Sequence, residues 1–152
     1  MSIAEITQIL AGFVGTLFFG ILFRIRGWRL GAVSLGGLLS WLILVILNRF
    51  IPNEAVNYFI VSFLISIYNE IMARVLKTPT TMFVTTSLIP LIPGGSLYYT
   101  MAYALEGDPV KFVGKAVYTL ELAAALALGI ILAAAMTKLV LNFFSAKKLS
   151  RQ

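Results

Sequence analysis

The 152-residue chain contains no cysteine and no histidine, and only six acidic residues against twelve basic ones. Without cysteine there is no disulfide framework, no thiolate nucleophile and no thiolate metal site. Without histidine, serine–histidine hydrolysis, most zinc chemistry and histidine-ligated haem lose their usual residue. Charge is scarce altogether: 12% of residues are charged and 60% hydrophobic, where soluble domains run at about 25% charged and 45–50% apolar. That balance excludes a water-soluble enzyme or binding module and makes lipid the main solvent. No two acids stand at a catalytic spacing and no nucleophile has a base beside it, so neither an enzyme nor any cofactor or metal is expected.

What is present is a series of long charge-free intervals, residues 6–23, 30–48, 55–69, 78–105 and 122–137. A helix crossing a hydrocarbon core of ~30 Å needs about 20 apolar residues. The intervals therefore predict an all-α integral membrane protein: one transmembrane domain over residues 1–152, with about five helices near 3–23, 30–48, 54–74, 80–105 and 116–140. The first lacks a basic leader and is followed by Arg24-Ile25-Arg26 rather than a small-residue cleavage site, so it is expected to be retained. Basic residues in short loops stay cytoplasmic. Arg24, Arg26, Arg29, Arg74, Lys77, Lys147, Lys148 and Arg151 would share one side, against Arg49, Lys111 and Lys115 on the other, where Glu54, Glu106 and Asp108 dilute them. That predicts an outside N-terminus and an inside C-terminus. Topology and anionic lipid then account for the positive excess, and no nucleic-acid partner is expected.

Several spans carry packing signals. Gly12, Thr16 and Gly20 recur every four residues in the first, Gly36 and Ser40 do so in the second, and the fifth contains Ala123-Ala124-Ala125 and Ala133-Ala134-Ala135. Small residues let helix backbones approach where lipid gives no hydrophobic drive to associate, within this chain, in a homo-oligomer or with another subunit. Trp28, Trp41 and Tyr58 suit interfacial or lipid-facing positions. In the third span Ser62, Ser66, Asn69 and Glu70 fall on one helix face, a polar stripe that should face protein or a cavity. Glu70 precedes Arg74 by four residues, so the two can form a plain salt bridge at the helix end, or Glu70 can gate or carry a proton. Glu121 lies at the edge of a 16-residue interval of about 24 Å, too short to span alone; it belongs either to the outer interface or to a functional position inside the bilayer. In straight helices Glu70 and Glu121 sit near opposite faces and do not pair.

The fourth interval is the anomaly, because its 28 residues would make a helix of about 42 Å. Pro90, Pro93, Gly94 and Gly95 supply a break, each proline removing a backbone donor and the paired glycines freeing the chain to unwind. Counted from Thr80, Pro90 lies about 15 Å deep, at the midplane. The feature is either a simple proline kink or a discontinuous helix, whose second half points free N–H groups at an anion. That half is expected to start near Gly95-Ser96, with Ser96 as its cap and Tyr98, Tyr99 and Thr100 offering hydroxyls beyond.

The run Glu70-x3-Arg74-x2-Lys77-x-Pro79-x3-Phe83, followed by Ile89-Pro90-Leu91-Ile92-Pro93-Gly94-Gly95 and Tyr98-x2-Met101, resembles the signature of the threonine/serine exporter family. The likeness is to its small, separately encoded membrane subunit, similar to the C-terminal five-span half of full-length exporters. Motifs carry it over residues 60–105, hydropathy and length elsewhere. The resemblance implies a secondary transporter of the bacterial cytoplasmic membrane that exports threonine or serine, or a C4-dicarboxylate such as succinate. It also implies a larger sister subunit resembling the exporter's N-terminal half. On this reading the anionic or zwitterionic substrate is held by Pro90, Pro93, Gly94, Gly95, Ser96, Tyr98 and Tyr99, and Glu70, Arg74 and Glu121 serve coupling or gating. The alternative is a non-transporting assembly or regulatory subunit whose small-residue faces hold a partner.

Overall fold

Helix ends are set by short-range chemistry visible in the chain. The computed structural model describes residues 3–149, with side chains through residue 141; Lys147 and Lys148 fall outside the described side chains, and Arg151 outside the described residues. Helix α1 (Ile3–Leu22) ends where Arg24 takes a positive φ of 59°, its N–H bonding the Ile21 carbonyl while that of Ile25 reaches back to Gly20. Two further helices close with the same pair of bonds. They are α3 (Glu54–Val75), at Lys77 with φ 49°, and α5 (Gly94–Glu106), at Gly107 with φ 71°. Helix α2 (Trp28–Phe50) follows Gly27, also at positive φ, and Asn53 caps α3 by accepting from the Val56 N–H at 3.2 Å.

The long charge-free interval is broken. Helix α4 (Thr80–Leu88) runs nine residues into a 3-10 turn (Ile89–Leu91), and α5 starts at Gly94. Helix α6 (Pro109–Leu149) is 41 residues long, about 62 Å. It begins seven residues before the expected position, because Asp108 accepts from the Lys111 N–H at 3.1 Å and Pro109 fills the first helical place, where no donor is needed. Four helices, α1, α2, α3 and α6, are long and apolar enough to cross a membrane, and no strand occurs among the described residues. The fold is an all-α membrane protein with its fourth span divided.

Helix α2 is central, with α1 on one side and α3 and α4 on the other; α6 packs on α3, and α5 packs on α6. Leu44, Tyr58, Val61, Ile65, Leu88, Leu91 and Leu122 form one buried cluster, and Ile25, Ala32, Val33, Ala73 and Phe83 a second toward the end that carries Arg24 and Lys77. Close approach uses the small residues: the Trp41 indole covers Gly12, Thr16 covers Gly37, and Gly129 of α6 lies on Ser62 and the Phe59 carbonyl. Two aromatic expectations are corrected here. Tyr58 is buried in the core cluster, and Trp41 packs between helices because glycine 12 leaves room for a flat ring. Trp28 is exposed.

Candidate functional site

The break is anchored on one side only. Leu88 and Leu91 are buried in the core, so α4 and the 3-10 turn belong to the α2–α3 bundle. Past Pro93 the chain leaves that bundle, and Thr100 is the one residue of α5 that is buried, its Oγ1 lying 3.1 Å from that of Thr119 on α6. Pro90 and Pro93 are half-buried, Ser96 is partly covered, and Gly94, Gly95, Tyr98 and Tyr99 are exposed. A Cβ added at Gly94 or Gly95 would meet nothing within 4 Å. The seven expected substrate residues therefore lie along the break and the start of α5; Gly94, Gly95, Tyr98 and Tyr99 are exposed, while Pro90 faces a cleft against α1 and α2.

The start of α5 differs from expectation by a residue or two. Pro93 holds the cap position without a side-chain bond, so Ser96 does not cap the helix, and the Ser96 carbonyl accepts from Thr100 Oγ1 at 2.8 Å. The Gly94 N–H bonds the Ile92 carbonyl and the Leu97 N–H that of Pro93. Of the first four helical N–H groups, those of Gly95 and Ser96 are left without a backbone acceptor. Two adjacent amides at the positive end of a helix dipole suit a carboxylate oxygen. On the opposite flank of the break, a cleft of about 240 Å³ runs between α1 and α2 past Gln8, Gly12, Gly15, Trp41 and Pro90. Gln8 is its single polar side chain apart from the indole, so it offers little grip on a charged ligand.

The expected coupling residues fall into two places. Glu70 and Arg74 form an ion pair at 2.6 Å, and the Arg74 guanidinium also donates to the Glu70 carbonyl. Glu121 is exposed on α6, in a groove of about 380 Å³ with Asn53, Ala55, Val56, Phe59, Ala124, Ala125 and Leu128. Phe59 and Glu70 are 11 residues apart on α3, about 17 Å; the two carboxylates are therefore toward opposite ends of the bundle.

The chain carries further polar contacts that spacing alone does not reveal. The Tyr118 hydroxyl donates to the Glu54 carboxylate, tying α6 to the start of α3, and Lys115 lies over the Tyr118 ring. Arg49 pairs with Glu5 at 2.6 Å, joining α2 to α1 at the same end. Asn57 Nδ2 donates to Asn48 Oδ1 at 2.7 Å and to the Ile51 carbonyl at 3.0 Å, and the Tyr68 hydroxyl donates to the Ala32 carbonyl. Asparagine and tyrosine inside apolar intervals were the available signal for these bonds; their partners depended on helix pairing. Of the polar stripe of α3, Ser62, Ser66 and Asn69 are buried, as a stripe facing protein should be, and Glu70 is partly exposed. Ser62 bonds its own helix at the Phe59 carbonyl, and Asn69 Oδ1 accepts from Ser87 of α4 at 3.0 Å. Among the described residues three buried side-chain atoms, Asn57 Oδ1, Ser66 Oγ and Asn69 Nδ2, have no partner, each a group whose unmet bond costs about 1–3 kcal/mol.

The Threonine/Serine exporter family, ThrE, matches residues 8–136, a stretch that runs from α1 through most of α6 and includes the broken span. The chain belongs to the threonine/serine exporter family. Neither a curated protein nor a solved structure matches it. Membership makes this an exporter-type membrane transport protein, with the broken span as its most distinctive element.

Proposed function

We propose that this exporter-family chain is a subunit of a secondary transporter that moves threonine and serine out across the bacterial cytoplasmic membrane, its N-terminus outside and its C-terminus inside. The reading rests on the start of α5, where the Gly95 and Ser96 amides have no backbone acceptor. A half-site of this kind is completed by a second surface. The sister subunit resembling the N-terminal half of the exporter is the fitting partner; a second copy of this chain is the other. The substrate carboxylate accepts from the two amides, with Pro90 and Pro93 setting the break and Tyr98 and Tyr99 contacting the remainder. A C4-dicarboxylate such as succinate would engage the same amides. Proton coupling falls to Glu70, held by Arg74, or to a partner residue, and Glu121 faces the second surface.

Efflux from host cells loaded with threonine tests the site. Gly94→Leu and Gly95→Leu should each abolish efflux while membrane insertion is unchanged. Because a Cβ at either position meets nothing within 4 Å, either helix-start substitution begins in open space rather than in the core. Unchanged efflux would remove the half-helix from the transport path.

A further inference from the structure

The two flanks of the break carry different chemistry. Beyond it α5 offers bare amides; before it α4 buries Ser87 against α3, and the site at α5 makes no use of that cluster. Ser66 Oγ and Asn69 Nδ2 have no hydrogen-bond partner, on residues 2% and 0% exposed. They lie three positions apart and so on one face of α3. The Ser87 hydroxyl is 3.0 Å from Asn69 Oδ1 and 3.3 Å from the Val33 carbonyl, one proton between two acceptors. Buried polar groups ordinarily find partners. With its oxygen turned to Ser87, Asn69 leaves its N–H bonds unused beside the Ser66 hydroxyl, a donor set that fits an oxygen-bearing guest; turned the other way the amide would donate to Ser87 Oγ, so the site requires the first orientation.

Room for a guest has to come from movement, since a Cβ at Gly36 of α2 would stand 2.6 Å from Ser87 Oγ. A swing of α4 has to part the packing of its buried Phe83 and Leu88, and two features of the segment favour it. The helix is nine residues long, and Pro90, lacking an N–H, leaves the Thr86 carbonyl without its helical donor. A cleft of about 380 Å³ borders α4, lined by Phe23, Pro79, Thr81, Met82, Thr85 and Thr86. Thr86 adjoins Ser87, so a swing of α4 about residues 89–93 joins this hydroxyl-bearing cleft to the sealed cluster.

We propose that Ser66, Asn69 and Ser87 form a second cargo site, on the α3–α4 side of the break, whose Asn69 N–H and Ser66 hydroxyl donate to an oxygen of the transported solute while α4 is swung out. The cargo, a small hydroxyl-bearing amino acid, rests on the transport reading above; the site itself rests on the unpartnered groups.

The chain has no cysteine, so single-cysteine variants report without background. Ser66→Cys and Ser87→Cys, each close to isosteric, are labelled in native membranes with methanethiosulfonate ethylammonium, which reacts with water-exposed thiols. Both should react, and Ala133→Cys, at a position in α6 that is 0% exposed, should not. Threonine at about ten times its Kd leaves roughly a tenth of sites open and should slow labelling about tenfold. If both serine positions are as inert as Ala133→Cys, or if neither threonine nor succinate slows their labelling, the cluster is structural and the proposal fails. Protection by succinate but not by threonine would uphold the cargo site and remove threonine as its cargo, separating the two readings. Ser66→Ala, which deletes the hydroxyl without adding volume, should lower threonine efflux severalfold at normal membrane levels; undiminished efflux opposes the proposal.

Discussion

Gly129→Ala tests the crossing on which the arrangement of α3 and α6 depends. The added methyl would overlap the Ser62 hydroxyl and stand 2.7 Å from the Phe59 carbonyl oxygen and 3.0 Å from the Phe63 nitrogen. Ser62 can rotate, but the other two atoms are backbone, so relief requires the helices to part by roughly 0.4–0.7 Å to reach ordinary contact near 3.4 Å. A gap of that size forfeits about a quarter to a half of each dispersion contact it opens, and overpacking of this kind costs about 1–3 kcal/mol. The ratio of folded to unfolded protein should fall by roughly 5- to 150-fold, read by reversible unfolding in lipid bicelles. Ser62→Ala should not rescue it, because the obstructing backbone remains. Gly15→Ala is the control: nothing lies within 4 Å of a Cβ there, and a helical alanine should be neutral or stabilise by up to about 1 kcal/mol. Wild-type stability in Gly129→Ala would mean that α3 and α6 do not meet at this glycine, and the packing argument would fall with it.

Other perturbations have equally definite outcomes. Asn57→Ala removes both bonds that tie the turn between α2 and α3 and should destabilise by about 1–3 kcal/mol in the same unfolding assay, two hydrogen bonds at about 0.5–1.5 kcal/mol each. Glu70→Gln should make efflux insensitive to an imposed pH gradient, and an unaltered pH dependence would exclude Glu70 from coupling. Lys111, through its side-chain bond above all, holds the Asp108 carboxyl below the usual carboxylate range. The contribution of Asp108 to stability is therefore present above the ordinary carboxylate pKa and lost as pH falls through the lowered value. A carboxyl titration by NMR should show that lowered midpoint, and Lys111→Ala should raise it; a midpoint indifferent to Lys111 would refute the pairing.

How far spacing alone reaches can be seen in α3. The placement of Ser62, Ser66 and Asn69 on one buried face follows from periodicity, since a polar residue on a lipid-facing stripe is unfavourable whatever the neighbours. That Asn69 meets Ser87, 18 positions on, does not follow, because it requires α4 to lie against α3 at one particular height. Tyr58 shows the opposite error: an aromatic near a helix start reads as interfacial, yet α6 and α2 close over it. The early start of α6 was readable in Asp108-Pro109, a cap followed by a first-turn proline, and was obscured by the charges that follow at Lys111 and Lys115. Ser96 failed as a cap because Pro93 starts the helix before the serine is reached.

By itself the sequence determined that this is a helical membrane protein whose fourth span has to break, because solvent and length are one-dimensional constraints: too little charge for water, and too many apolar residues for a single crossing. Only the tertiary structure decided which side of the break is buried. Leu88 and Leu91 pack the end of α4 into the bundle while α5 departs with two amides left without a backbone acceptor, and α3 and α4 bury polar groups that find no partner. Those outcomes depend on which helices pair and at what height, set by close contacts at a few glycines whose neighbours are remote in the chain.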